Sequence, residues 1–201
     1  RSTARSRGSA TIRSIDRRFV TLRIGHHDPV ERETSWPVTL VQSIIAADMM
    51  DLVVRKAVEL GAAAIVPLQA ARSQHASDER TKRRLAHWRR IATAACEQCG
   101  RNRIPEIVPV VTFAQWIEAV LPAGPIAMLD VGGERSLAAL AASTAPHVIV
   151  VGPEGGFDAA ELRLARDAGI VPVHMGRRVL RAETGAFAAL ATVNALAGDA
   201  S

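Results

Sequence analysis

Two glycine-bearing loops near the C-terminal end of this chain combine residue types suited to holding a small molecule. Residues 152–157 read GPEGGF, and residues 175–186 read MGRRVLRAETGA. Each loop follows a short apolar run and precedes a helical pattern, and glycines at such junctions let the backbone bend sharply and approach a ligand closely. The sequence therefore predicts one small-molecule site, built where neighbouring strands of an α/β unit end.

The first loop carries conformational signals but no phosphate-binding motif. Pro153 restricts the backbone, and Gly155 and Gly156 permit positive φ values. Asp158 stands three residues before Glu161, which is the spacing of a capping box at a helix start. The dinucleotide fingerprint and the phosphate-loop motif are both absent from this loop. A tight strand-to-helix turn without a ligand is the alternative interpretation.

The second loop is rich in arginine. Arg177, Arg178 and Arg181 lie close to Gly176, just before the last helix begins. Guanidinium groups in such a loop suit a phosphate or carboxylate group of a ligand. A solvated basic surface is the alternative, because runs of charge usually face water.

Apolar periodicity predicts the elements that must position these loops. Strands and helices alternate after residue 62, which indicates an α/β fold with a mainly parallel sheet. Two short strands, with a turn near Asp16, are predicted within residues 10–24. The other predicted strands span residues 38–42, 62–68, 126–130, 147–151 and 171–175. The predicted helices span residues 48–60, 78–100, 112–121, 136–142, 158–168 and 183–197.

Composition restricts the class of protein. The 201 residues include 48% hydrophobic residues, enough for one large domain or one domain with a small addition. No apolar run reaches the roughly 20 residues of a membrane span. A net charge of +5 favours an anionic partner, RNA above all. The dominance of arginine over lysine has a second explanation, genomic base composition.

The two cysteines are interpreted as ordinary small residues. Cys96 and Cys99 fall within a predicted helix, and a zinc site would need two further ligands that no second cysteine pair supplies. We therefore expect reduced thiols in a cytoplasmic protein and no bound metal.

A series of motifs resembles the RsmE family of 16S rRNA (uracil-N3)-methyltransferases, members of the knotted SPOUT superfamily. The resemblance covers the chain from about Val38 to its C-terminus. The motifs are GPEGGF at 152–157, GxxxLRxET at 176–184, KAVELG at 56–61, IVPL at 65–68, RS at 72–73, WRRI at 88–91, EQ at 97–98, GR at 100–101 and IPEI at 104–107.

This resemblance implies an architecture beyond the predicted parallel sheet with flanking helices. The family folds into a deep C-terminal trefoil knot and forms homodimers with each site near the interface. An N-terminal PUA-like RNA-binding β domain precedes the knotted domain. The resemblance therefore implies that residues 1–37 are the truncated remnant of that β domain, and that residues 38–201 are the methyltransferase domain.

The resemblance also implies S-adenosylmethionine as the cofactor, held in a bent shape by three loops. These are the loop after Leu129 and the two glycine-bearing loops, with Val179 and Leu180 as apolar walls. The expected cofactor-binding residues are Leu129, Gly152, Pro153, Glu154, Gly155, Gly156, Met175, Gly176, Val179, Leu180, Arg181 and Thr184.

The implied reaction is methylation of uridine N3 in the decoding region of 16S rRNA in the small ribosomal subunit. The uracil must lose its N3 proton before it attacks a sulfonium methyl group. Arg181 is the candidate to stabilise the uracil anion, and Glu154 and Glu183 are the two candidates for the base. The expected RNA contacts are Arg72, Arg83, Arg84, Arg101, Arg103 and Arg177, with further charges from Arg80, Lys82, Arg89 and Arg90 on the longest helix.

Three departures from the family pattern concern the surroundings of the site. Ala71 stands where the family often has Glu, residues 45–47 read IAA where Lys is common, and Gly185 follows Glu-Thr where Ala is usual. Two other functions therefore stay open. One is a related methyltransferase with another target, such as a tRNA ribose 2′-hydroxyl, and the other is a non-catalytic RNA-binding ribosome-assembly factor.

Overall fold

The computed structural model describes residues 7–28, 31–73, 78–119 and 124–197. Within them an N-terminal hairpin precedes an α/β unit. The strands are β1 Arg7–Ile15, β2 Val20–Asp28, β3 Thr39–Ser43, β4 Ala64–Gln69, β5 Glu106–Ile107, β6 Val111–Thr112, β7 Ile126–Leu129, β8 Arg135–Ser136, β9 Val148–Val151 and β10 Val171–His174. The helices are α1 Ala47–Glu59, α2 Asp78–Cys99, α3 Phe113–Ala119, α4 Leu137–Ser143, α5 Ala159–Asp167 and α6 Ala182–Ala197.

From residue 38 onward the predicted elements agree with these bounds to within about two residues, except that the predicted end of α3, at residues 120–121, lies outside the described part of the chain. The hairpin strands are longer than predicted: β1 begins three residues before residue 10, and β2 ends four residues after residue 24. The prediction missed β5, β6 and β8. Each of these strands has only two residues, so no alternation of apolar and polar side chains is available to reveal it.

Eight of the described strands form one parallel sheet. Its order is β5-β4-β3-β9-β7-β10-β8, and β6 pairs with β4 as well. Helices α1, α2, α4 and α6 bury one face of the sheet, and α3 and α5 bury the other. The expected α/β class with a parallel sheet and flanking helices is confirmed.

Helix α2 shows why its pattern could be recognised from sequence. Trp88, Ala92 and Ala95 are buried, with Leu85 and Ile91 partly buried beside them, so the expected apolar face is the face that packs. Cys96, further along this helix, is buried, and its thiol donates to the Arg103 carbonyl at 3.5 Å. None of the described helices is long and apolar enough to cross a membrane.

The N-terminal hairpin pairs antiparallel strands β1 and β2, which confirms the predicted pair of strands. Its large apolar side chains remain exposed: Ile12, Ile15, Phe19, Val20, Leu22 and Ile24. A two-stranded hairpin alone is at best marginally stable in water. The hairpin therefore has an apolar surface that the described part of the chain does not cover.

Residues 31–37 attach the hairpin's end to the α/β unit. The ring of Trp36 stacks on His147 with centroids 4.4 Å apart, and its Nε1 donates to the Pro146 carbonyl at 3.2 Å. Glu33 accepts hydrogen bonds from Nε and Nη2 of Arg101. This segment is therefore fixed to the domain by both an aromatic stack and an ion pair.

Arg101 corrects one prediction. Its side chain is 5% exposed, and its guanidinium pairs with Glu33 and donates through Nη1 to the carbonyls of Val58 and Ala62 at 2.9 and 3.0 Å. A guanidinium committed to internal partners cannot reach an RNA phosphate. The expected RNA contact by Arg101 is therefore replaced by a structural role, joining residues 31–37 to the end of α1.

A second, exposed ion pair joins Arg103 to Glu31 at 2.9 Å. The backbone N–H of Arg32, with help from the Arg103 guanidinium, lowers the pKa of Glu31 below its ordinary value. Because the pKa is lowered in the folded state, any contribution of this pair is present at neutral pH and is lost as the pH falls through the lowered pKa.

Arg101→Met should reduce the free energy of unfolding by about 3 kcal/mol, because it leaves the Glu33 carboxylate without its buried partner. Arg103→Met is the matched control and should leave the free energy of unfolding nearly unchanged, because its ion pair is exposed. Urea unfolding measures both values. Equal losses in the two variants would contradict the structural role of Arg101.

Candidate small-molecule site

Three adjacent strands place three loops at one edge of the sheet. Strands β9, β7 and β10 are neighbours in that order and run parallel, so their carboxyl ends lie side by side. The loop after β7 starts at Asp130, the loop after β9 at Gly152, and the loop after β10 at Met175. Together with Arg72 and the start of α6 they surround a cavity of about 880 Å³. This is the edge at which open parallel sheets bind ligands.

Most of the residues predicted for cofactor binding or catalysis line this cavity. They are Leu129, Gly152, Pro153, Glu154, Gly155, Gly156, Met175, Gly176, Val179, Leu180, Arg181 and Glu183. Thr184 is the exception: it is exposed on α6 and outside the lining. On the same helix Ala182, Glu183 and Gly185 line the cavity, whereas Thr184 does not. The expected contact by Thr184 is therefore not supported by its placement.

In the loop after β9, glycine is favoured at one position by a positive φ and at another by a close contact with a neighbouring side chain. Gly156 has a φ of +68° and its N–H donates to the Pro153 carbonyl at 2.9 Å, closing a tight turn. A Cβ on Gly152 would lie 3.1 Å from the Phe157 ring. Beyond the turn, Asp158 and Glu161 form the predicted capping box at the start of α5. The glycines thus let the chain fold back closely at the cavity wall.

The loop after β10 is held by a histidine that the sequence did not single out. The N–H of Gly176, whose φ is +99°, donates to Nδ1 of His174 at 3.0 Å. His174 also lines the cavity. When Nδ1 accepts a hydrogen bond, a neutral imidazole carries its proton on Nε2. In the sequence, the one feature that could have indicated this role of His174 is its position two residues before Gly176.

The loop after β7 was predicted only by its position after Leu129. Asp130 shapes it: the side-chain oxygen accepts from the Gly132 N–H at 2.9 Å, and the carbonyl accepts from the Gly133 N–H at 3.1 Å. A Cβ on Gly133 would lie 2.8 Å from the backbone of Val173, so only glycine fits there. Asp130 and Val131 line the cavity. The signal that could have found them is the glycine pair directly after a strand.

The departures from the family pattern lie at or beside this cavity. Ala46 and Met49 line it at the start of α1, and Gly185 lines it from α6. A Cβ on Gly185 would lie 3.2 Å from Cδ1 of Leu129, a tight contact. Ala71 lies next to Arg72 and contributes its backbone N–H to a hydrogen bond with Glu161. These positions therefore contribute to the lining of the cavity or to its immediate surroundings.

The cavity contains both signs of charge. Arg72, Arg178 and Arg181 line it together with Asp130, Glu154 and Glu183. Arg72 is held in place, because its Nη1 donates to the Gly155 carbonyl at 2.8 Å. A mixed lining of this kind suits a zwitterionic or cationic ligand next to an anionic one. The described residues contain no cluster of three possible metal ligands.

The other predicted RNA contacts lie away from the cavity lining. Arg177 is exposed beside it, and Arg103 is exposed and paired with Glu31. Arg83 is exposed on α2, and Arg84 on the same helix borders a separate cavity of about 110 Å³. The side chains of Arg80 and Lys82 lie outside the described part of the structure. The structure thus does not bring these arginines together into one site.

Three adjacent strands of this parallel sheet end in glycine-rich loops, and these loops surround a cavity whose lining is both apolar and charged. This architecture defines a small-molecule-binding α/β domain. Residues 32–194 match the model of the RNA methyltransferase domain family. The chain belongs to this family, which confirms the resemblance drawn from its motifs.

Individual relatives agree with this assignment. The ribosomal RNA small subunit methyltransferase E of Synechocystis sp. is 36% identical over 171 residues, and the protein of that name from Mycobacterium bovis is 35% identical over 166 residues. These alignments cover 83% and 80% of this chain. The chain spans 55% and 63% of the length of these two curated relatives.

A solved structure shares the fold. The ribosomal RNA small subunit methyltransferase E from Neisseria gonorrhoeae, crystallised with S-adenosylmethionine, superposes with a TM-score of 0.88 at 31% identity. The match covers 96% of this chain and 80% of the Neisseria chain.

Gly156→Ala should lower stability by about 1–2 kcal/mol, because a side chain must then adopt a left-handed conformation. Gly169→Ala is the matched control, since Gly169 has a φ of +73° at the end of α5 and, like Gly156, has no atom within 4 Å of the position of a Cβ. Thermal unfolding should show similar losses in both. Calorimetric titration with S-adenosylmethionine, the ligand of the Neisseria protein, should show weaker binding only in Gly156→Ala. Unchanged binding in Gly156→Ala would exclude this turn from the ligand site.

Proposed function

We propose that this protein transfers a methyl group from S-adenosylmethionine to N3 of a uridine in the decoding region of 16S rRNA, with the small ribosomal subunit as its substrate. The observation that carries the proposal is the convergence of three loops around one cavity in a chain of the RNA methyltransferase family. The Neisseria relative, which has the same fold, was crystallised with S-adenosylmethionine.

The residues around the cavity fit this cofactor. A volume of about 880 Å³ lies within the range of small-molecule sites, and Leu129, Val151 and Leu180 provide apolar walls. The glycine loops bring backbone groups close enough to hydrogen-bond an adenine. Asp130 and Glu154 supply carboxylates for the positive amino and sulfonium groups. When bound, S-adenosylmethionine would supply an electrophilic methyl group.

The chain's own residues would prepare the uracil. Arg181 lines the cavity and is the candidate to stabilise the anion that forms when the uracil loses its N3 proton. Glu183 and Glu154 both line the cavity as candidate bases. Glu183 is half-buried, whereas Glu154 is exposed, so Glu183 is better shielded from water and is our choice for the base.

RNA recognition would use the arginines around and beyond the cavity. Arg72 and Arg177 lie closest, and Arg83, Arg84 and Arg103 would contact the backbone of a large substrate. We assign residues 1–37 to the end of a PUA-like RNA-binding β domain. The hairpin β1–β2, with its uncovered apolar side chains, supports this assignment.

The path of the chain supports a C-terminal trefoil knot. Strand β10 lies on one side of β7, and the following helix α6 returns across it to contact β9 and α1 on the other side. A homodimer is supported by the exposed apolar side chains along α6, where Ala191, Ala195 and Leu196 face solvent. A protein that acts on ribosomal subunits works in the cytoplasm, where we place this one.

The first experiment is methylation of small ribosomal subunits that lack the uridine modification, with labelled S-adenosylmethionine and mass spectrometry of the RNA. We expect N3-methyluridine at a single position. A methylated ribose would instead support the tRNA-type enzyme with another target. Absence of both transfer and S-adenosylmethionine binding would support the non-catalytic assembly factor and contradict the proposed activity.

Arg181→Ala should reduce the methylation rate by about a hundredfold, the usual effect of removing one group that stabilises a transition-state anion. Its thermal unfolding should stay unchanged, because Arg181 is exposed. Arg177→Ala, from the same loop but outside the cavity lining, is the matched control and should keep its turnover rate under saturating substrate. Wild-type turnover in Arg181→Ala would remove Arg181 from the mechanism.

A further inference from the structure

Glu161 connects two loops that are far apart in sequence. It lies in the first turn of α5 and is 6% exposed. Its Oε2 accepts from the N–H of Asp158 at 2.9 Å, which completes the capping box. Its Oε1 accepts from the N–H of Ala71 at 2.8 Å, 90 residues away. The capping box needs only the bond from Asp158, so the bond from Ala71 has a separate structural effect.

The second bond fixes the turn that carries Arg72. Residues 70–73 form a tight turn in which the Ser73 N–H donates to the Ala70 carbonyl at 3.0 Å, and the Ala70 N–H donates to the Ser73 hydroxyl at 3.2 Å. Because Glu161 holds Ala71 within this turn, it holds the backbone directly before Arg72. The turn is thereby attached to the helix that follows the loop after β9.

Arg72 lies across that loop at the cavity. Its Nη1 donates to the Gly155 carbonyl at 2.8 Å, and a Cβ on Gly155 would lie 3.4 Å from Cβ and Cδ of Arg72. The arginine is exposed and lines the cavity. A guanidinium has five N–H donors, so it can keep the bond to Gly155 and still offer a fork of donors to an anion.

We propose that Glu161 is a positioning residue that holds Arg72 at the cavity, where Arg72 binds a phosphate of the nucleotide to be methylated. This inference rests on the proposed function, since it needs an RNA substrate at the cavity. Glu161 does not touch the substrate; it acts through Ala71 and Arg72. Through its hydrogen bond to Ala71, the Glu161 carboxylate connects the phosphate-binding Arg72 to the helix that follows the loop after β9.

The test compares Glu161→Ala with Asp158→Ala. Both variants lose capping hydrogen bonds of α5, but only Glu161→Ala loses the link to Ala71. Asp158 lies outside the cavity lining, so it controls for a weakened helix start. For Glu161→Ala we expect a KM for small subunits raised about tenfold, the cost of one misplaced charge-assisted hydrogen bond, with kcat nearly unchanged. For Asp158→Ala we expect an unchanged KM.

A double variant separates positioning from a general structural effect. Arg72→Ala should raise KM as Glu161→Ala does, and the two changes together should raise it no further than Arg72→Ala alone, because they remove one shared interaction. Multiplied effects, an unchanged KM in Glu161→Ala, or an equal rise in Asp158→Ala would overturn the proposal.

Filter binding of a 16S rRNA fragment gives the same comparison without methyl transfer. Glu161→Ala and Arg72→Ala should both weaken RNA binding about tenfold, while calorimetric binding of S-adenosylmethionine stays near the wild-type value. If the wild-type protein binds the fragment but transfers no methyl group, the proposed methylation activity is contradicted. The RNA affinities of the variants still decide whether Glu161 positions Arg72. Equal RNA affinity in Glu161→Ala and the wild type would refute that role.

Discussion

The site depends on one constraint: β9, β7 and β10 are adjacent and parallel, so their carboxyl ends reach the same edge of the sheet. In a parallel sheet every strand ends on the same side, and the loops that follow neighbouring strands must meet there. The strand register sets this alignment: Met128 lies opposite Val150 in one neighbouring strand and opposite Pro172 in the other. Loops that are separated by up to about 45 positions along the chain thereby surround a single cavity.

The cavity also requires the backbone of its loops to pack closely and to turn sharply. Glycine makes this possible at three positions. Gly133 lies against the backbone of Val173 with no room for a Cβ, which brings the loop after β7 onto β10. Gly156 and Gly176 adopt left-handed conformations that turn the chain at the cavity. In each case the side chain that is missing, rather than one that is present, allows the loop to approach.

Buried charge has a connecting role on both sides of the domain. Arg101 joins Glu33 to the carbonyls at the end of α1 and so attaches residues 31–37. Glu161 joins α5 to the turn at Ala71. Both groups are buried and hydrogen-bonded to partners that are distant in sequence. They therefore fix the positions of these distant segments relative to each other. The exposed pair of Arg103 and Glu31, by contrast, lies where water and salt screen it.

The sequence by itself determined the described elements longer than two residues, the position of the glycine loops and the family, because apolar periodicity, caps and motifs are local properties of the chain. The capping box at Asp158 and the apolar face around Trp88 could be predicted for that reason. Tertiary structure alone decided the strand order, the buried partners of Arg101, and the cavity positions of Asp130, His174 and Arg178. These depend on contacts between segments far apart in the chain, and spacing within one segment carries no record of such contacts.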